Sequence, residues 1–188
     1  VSRSPARAPD DVRAELRSTF QWMTAGNERH GYADVTRWWR SPELLPRLGP
    51  ALASLFAEER PTVVLGIASR GCLLGPLVAA HLGLGFVEVR KNRGPSTDND
   101  AWLQTRTPPD YHDKQLDLGI RRDLVGSADR VLLVDDWVAT GGQALGARAL
   151  VEQADATWLG LAVLVDGLTE PAVRRRLGVR SLLHIREL

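Results

Sequence analysis

The chain has 188 residues, 44% hydrophobic and 25% charged, with a formal charge of +1 and one cysteine. That is enough chain for one domain with a sizeable core, and too little charge excess for a global nucleic-acid or membrane-surface role. No apolar run reaches the roughly 20 residues that span a bilayer, the arginines near the start are not followed by a secretory apolar segment, and a lone Cys72 forms no internal disulfide; the expectation is a cytoplasmic protein.

In chain order, residues 1–9 are rich in Pro, Arg and Ser and are expected to be a mobile tail, with a single domain over residues 10–188. A helix is predicted next, capped by Asp10 or Asp11, with Val12, Leu16, Phe20 and Met23 on one stripe and Gly26 at its C-terminal cap. Residues 31–41 read as a loop in which Trp38 and Trp39 pack or lie on a dimer surface rather than touch a ligand. A helical pattern from Pro42 to Glu59 is interrupted by Pro46 and Pro50, so the helix proper is predicted to begin near Ala51.

Thr62 to Ile67 is a buried strand by its β-branched content, followed by a Ser69-Arg70-Gly71 turn and a helix from about Cys72 to Leu82. A strand-turn-helix with glycine and arginine in the turn offers N–H groups and a cation to an anion. Phe86 to Val89 is a strand that delivers Arg90 and Lys91. From Asn92 to about Gln115 the chain is polar, with several prolines, which reads as an irregular stretch, either a functional lid or a disordered segment. Downstream, Trp158 to Val165 is a strand, Glu170 to Leu177 a short helix and Ser181 to Ile185 a final strand. Strands alternating with helices predict an α/β, doubly wound, mostly parallel sheet. His30, His81, His112 and His184 have no metal-ligand spacing.

The most informative stretch is Arg130 to Ala147. A strand, Val131 to Val134, ends in Asp135 and Asp136; Ala139, Thr140, Gly141 and Gly142 form a turn, and a helix follows from about Gln143. Strand ends in such sheets face the ligand edge, carboxylates accept hydrogen bonds from hydroxyls, and a glycine turn at a helix start cups phosphate. The pattern fits a molecule carrying vicinal hydroxyls and a phosphate. Neither the P-loop nor the dinucleotide glycine fingerprint occurs in the chain.

This stretch resembles the phosphoribosyl-diphosphate (PRPP) signature of type I phosphoribosyltransferases: four apolar residues, two acids, two apolar residues, then A-T-G-G-T. Gln143 stands at the last threonine, and Trp137 where a smaller aliphatic residue is usual. Further motifs resemble adenine phosphoribosyltransferases over residues 31–186. Tyr32, Ala33, Asp34, Val35 and Thr36 match F-R-D-I-T of the hood over the base; Ser69-Arg70-Gly71 matches the S-R-G diphosphate turn; GFVEVRK matches G-F-V-P-V-R-K. Asp110-Tyr111-His112 falls at the E-Y-G of the lid, followed by Gln115-Leu116-Asp117 at a Q-L-E.

The resemblance implies a type I phosphoribosyltransferase fold with a small hood (about residues 27–41) and a lid (about 92–115). It implies transfer of the 5-phosphoribosyl group from PRPP to a purine, adenine foremost, with release of diphosphate. Asp110, Asp135 and Asp136 are the implied catalytic residues. PRPP is implied to contact Arg70, Lys91, Tyr111, Asp135, Asp136, Ala139, Thr140, Gly141, Gly142 and Gln143, and the base Tyr32, Ala33, Asp110 and Trp137. Mg²⁺ is expected on the diphosphate, with no direct protein ligand. Trp137 either stacks on a base or shrinks the pocket. The other implied partner is a second copy in a homodimer; the rival reading is a PRPP- or nucleotide-sensing regulator without catalysis, or transfer to a non-standard base.

Overall fold

The computed structural model describes residues 9–23, 32–92, 99–108 and 115–188. Its first elements are helix α1 (Pro9–Thr19), strands β1 (Gln21–Met23) and β2 (Tyr32–Asp34), and helices α2 (Thr36–Arg40) and α3 (Leu45–Ser54). The predicted helix stops earlier than its apolar stripe suggested. Ser18 and Thr19 donate their hydroxyls to the Glu15 carbonyl, at 3.0 and 2.7 Å, a local bond that loosens a last helical turn. The chain then turns extended, and β1 pairs antiparallel with β2 in the register Trp22↔Ala33. Val12 and Leu16 are buried as expected, but Met23 is exposed; Gly26 lies outside the described residues.

Helix α3 also differs from expectation, beginning at Leu45 instead of near Ala51. Pro46 falls in the first turn, where its missing N–H costs nothing, and Pro50 is carried inside the helix. The helix is held by its apolar face, with Leu48 and Leu52 fully buried. Trp38 is buried too, and its indole N–H donates to the Leu16 carbonyl at 3.1 Å, tying α2 to α1.

The remaining elements are β3 (Val63–Ile67), α4 (Gly71–Leu82), β4 (Gly85–Lys91), β5 (Trp102–Arg106), β6 (Asp117–Arg121), β7 (Arg130–Val138), α5 (Gly142–Gln153), β8 (Thr157–Asp166), α6 (Pro171–Leu177) and β9 (Val179–His184). They build a seven-stranded sheet in the order β5-β6-β4-β3-β7-β8-β9. Strands β4, β3, β7, β8 and β9 run parallel, while β6 is antiparallel to both β4 and β5. The fold is α/β with a mostly parallel, doubly wound sheet. Leu132 and Val134 of β7 pack on one face among α1, α3 and α4, whereas Val131 and Leu133 pack on the other against α5.

Strand β5 corrects the reading of Asn92–Gln115 as irregular throughout. Trp102 and Leu103 are buried, and five residues pair with β6, Trp102↔Arg121 through Arg106↔Asp117. What was read as one long loop therefore contains half of a β-hairpin at the sheet edge. Strand β7 also runs past Val134 to Val138, so Asp135 and Asp136 belong to the strand itself.

Candidate active site

Three strand ends and two helix starts meet at the C-terminal edge of the parallel strands and enclose a cavity of about 410 Å³. Its wall is formed by residues 67–70 at the end of β3, Lys91 at the end of β4, and residues 135–144 from β7 into α5. The order β4-β3-β7 puts these ends side by side, so residues far apart in sequence converge without any long loop.

The carboxylate pair sits at the middle of this edge. The Asp136 N–H donates to Asp135 Oδ1 at 2.9 Å, and Asp136 Oδ2 accepts from Arg70 Nη1 at 2.8 Å. Asp136 is 7% exposed while Arg70, in the turn before α4, is 48% exposed. A buried acid with a half-exposed cation leaves the guanidinium partly free to meet a second anion from the cavity side. Burial first, and the Asp136 carboxylate second, push the Asp135 carboxyl up to about 8. Asp135 thus tends to hold its proton near neutrality until a partner for the charged form arrives.

The anion cup follows directly. Gly141 has φ +80°, a conformation that L side chains avoid, and a Cβ there would stand 2.7 Å from Val173 Cγ1. Glycine suits this position, and the turn it allows starts α5 at Gly142, with residues 139–144 lining the cavity. Across the cavity the Ala68–Ser69 peptide is cis. Helix α4 starts against β3 and β7 because Gly71 carries no side chain: a Cβ would lie 3.0 Å from the Gly66 carbonyl carbon on β3 and 2.9 Å from the Val134 carbonyl oxygen on β7.

The two basic residues at the end of β4 part ways. Arg90 is engaged outside the cavity, bonded to Glu88 at 2.9 Å with its guanidinium 5.3 Å from the Trp102 ring centroid. Lys91 lines the cavity. Strand alternation decides this, since successive side chains point to opposite faces. Cys72 is held toward its thiol form: burial, then Glu88 and Asp135, push it up to about 11, and Sγ donates to the Gly66 carbonyl at 3.5 Å.

Of the residues singled out from sequence, the structure brings together Arg70, Lys91, Asp135, Asp136, Trp137, Ala139, Thr140, Gly141, Gly142 and Gln143 around one cavity. Tyr32 and Ala33 stand apart on the β1–β2 hairpin and do not line it, with Tyr32 exposed. Asp110 and Tyr111 lie outside the described residues. Their attachment points are clear, however. Thr107 is buried; its N–H donates to the Leu116 carbonyl at 2.9 Å, and its Oγ1 accepts from the Leu116 N–H at 3.0 Å. This neck stands beside the anion cup, with the Pro108 carbonyl oxygen 3.6 Å from where a Cβ of Gly142 would be.

Sequence reasoning missed Ala68 and Ser69 as cavity lining, and missed the aromatic cluster behind Trp137. Ser69 lay within the S-R-G turn already noted. Phe20 and Trp22 gave no signal, because they reach Trp137 only through the hairpin's fold.

A carboxylate pair beside a glycine cup and two cations, at the strand edge of a parallel sheet, defines a sugar-phosphate-binding α/β protein. Comparison with known proteins narrows the class: residues 41–184 match the family described as "Phosphoribosyl transferase domain". The chain belongs to this phosphoribosyltransferase family. It is 36% identical over 136 residues to the adenine phosphoribosyltransferase of Natranaerobius thermophilus, covering 72% of this chain and 76% of that one. The crystal structure of adenine phosphoribosyltransferase from Rhodothermus marinus DSM 4252 superposes with a TM-score of 0.78 at 32% identity, covering 94% of this chain and 99% of the other. The Saccharomyces cerevisiae enzyme, complexed with an imino-altritol bisphosphate and adenine, gives 0.77 at 28% identity, over 93% and 99%.

Proposed function

We propose that this phosphoribosyltransferase takes adenine as its base and converts adenine and PRPP to adenosine 5′-monophosphate and diphosphate. The observation that carries the reading is the Asp135–Asp136 pair at the mouth of the 139–143 cup, with Arg70 and Lys91 facing it across one cavity. The adenine enzymes of similar sequence and fold support the choice of base.

In this reading the 5′-phosphate sits in the cup, on the N–H groups of residues 139–143, and Gln143 contributes its backbone donor where relatives carry a threonine. Asp135 and Asp136 accept hydrogen bonds from the ribose hydroxyls and favour positive charge at the anomeric carbon. As the anomeric C–O bond to diphosphate breaks, Arg70 and Lys91 compensate the leaving charge. A nitrogen of the base forms the new bond and gives up its proton, with Asp110 on the lid as acceptor. Tyr111 on the same loop reaches PRPP, and lid closure keeps water from hydrolysing it. Trp137 forms the base end of the cavity, and Tyr32 and Ala33, which do not line it, take no part in this reading.

Mg²⁺ fits this donor set as a metal brought in on substrate oxygens. Asp136 is already paired with Arg70, Asp135 is held toward its neutral form, and no group of three or more His, Cys, Asp or Glu side chains gathers among the described residues. When bound, the ion supplies charge compensation for the departing diphosphate. A homodimer in the cytoplasm completes the reading; sedimentation of the purified chain tests the dimer.

The experiment is a turnover assay with PRPP, Mg²⁺ and adenine, guanine, hypoxanthine, xanthine or orotate in turn. Diphosphate release that requires adenine supports the reading, and EDTA is expected to abolish it. PRPP binding without release for any base would replace it with a sensor.

A further inference from the structure

We infer that Trp22, on the β1–β2 hairpin, is a positioning residue that sets base selection by holding the Trp137 indole in place. The inference rests on the base-transfer reading above and deepens it. Trp137 is the one aromatic side chain among the described residues lining the cavity. Its indole is supported from three directions. Gly167 lies close beneath, where a Cβ would stand 3.0 Å from Trp137 Nε1. Phe20 lies tilted at 31° with its ring centroid 6.3 Å away, and Phe20 itself meets the buried Trp38 at 6.0 Å. Trp22 meets Trp137 edge-on, at 6.4 Å and 79°, and also meets Phe20 edge-on at 5.2 Å and 84°.

The first two supports belong to the main body of the fold, Gly167 just after β8 and the partly buried Phe20 packed against the core. The third does not. Trp22 is 48% exposed, on a strand of three residues whose sheet contains only β1 and β2. Its described ring contacts are to Phe20 and Trp137. Of the three supports of Trp137, this contact alone comes from a separate small sheet, and through it the hairpin bears on the width of the base end. With the indole pinned, the base end accepts a flat ring of adenine's size and resists an added exocyclic group. With it released, the space beside the base opens.

The test is steady-state kinetics of Trp22→Leu and Trp22→Phe, each also in a Trp137→Leu background, with adenine and 2,6-diaminopurine. Trp22→Leu is expected to raise KM for adenine about three- to tenfold, the range of one edge-on aromatic contact. KM for PRPP is expected to stay within about twofold, because Trp22 lines no part of the cavity and touches neither the cup nor the carboxylates. The preference for adenine over 2,6-diaminopurine is expected to fall, Trp22→Phe to restore it, and Trp22→Leu to add nothing once Trp137 is Leu. Unchanged adenine parameters in Trp22→Leu, an equal rise in both KM values, or additive effects of the two substitutions would overturn the inference. A wild-type chain that turns over no purine would instead remove the base-transfer reading, and this result comes before any variant is made.

Discussion

Arg174 holds the buried carboxylate of Asp166, Nε to Oδ2 at 2.6 Å, and with the same guanidinium donates to the Leu168 carbonyl at 2.6 Å. Asp166 Oδ1 in turn accepts from the Leu168 N–H at 2.9 Å. The pair clamps the turn between β8 and α6 onto the helix, and both border the anion cup: Leu168 of the turn and Val173 and Leu177 of α6 are the side chains that a Cβ at Gly141 would meet.

Arg174→Met leaves Asp166 buried with no counter-ion, which typically costs several kcal/mol, here about 2–4 because the arginine is partly exposed. Thermal unfolding is expected to move to lower temperature. If the clamp also sets the cup, KM for PRPP rises at a temperature where the variant is still folded, while kcat falls less; Arg174→Lys recovers part of the loss.

Gly141→Ala tests the cup without touching charge. The positive φ and the contact with Val173 together make any side chain cost about 1–3 kcal/mol. Because the strain falls on the amides proposed to hold phosphate, KM for PRPP is expected to rise at least about tenfold, read by initial rates.

The raised carboxyl of Asp135 predicts a pH dependence with a definite sign. An aspartate in the unfolded chain loses its proton near 4, whereas the folded one keeps it up to about 8. Between those limits the folded state binds the extra proton, so this group makes the unliganded protein less stable as pH rises through the window. Asp135→Asn, which has no proton to lose, is expected to gain melting temperature over the wild type progressively from pH 5 to 8. Ribose hydroxyls prefer the ionised form as acceptor, so wild-type affinity for PRPP is expected to rise over pH 6.5 to 9, and the variant's to stay flat by titration calorimetry.

Arg70→Lys separates charge from geometry. The substitution keeps a cation but loses the planar fork that bonds Asp136 while facing the cavity. Turnover is expected to fall more than PRPP binding weakens, because leaving-group charge grows toward the transition state.

The strand, the acid pair and the glycine turn were legible because all their parts are contiguous, and each has a local chemical reason. The parallel core was legible for the same reason, from short apolar runs followed by helical ones. The β1–β2 hairpin was not: three-residue strands carry almost no periodic signal, and the hydroxyls of Ser18 and Thr19 that loosen α1 also suit a helix surface. Strand β5 was hidden by prolines and acids on either side, although Leu103 packs into the core beneath α5. Arg90 and Lys91 looked alike until the pleat put one over Trp102 and the other in the cavity. The Asp166–Arg174 clamp depends on where α6 docks, which no local pattern states.

The most direct measurement is a crystal structure of the chain with adenosine 5′-monophosphate. The expected result places the phosphate on the amides of residues 139–143, both ribose hydroxyls on Asp135 and Asp136, and the adenine ring beside Trp137. A nucleotide bound elsewhere, or an Asp135–Asp136 pair that keeps only its bond to Arg70 while the cup holds no phosphate, would contradict the account.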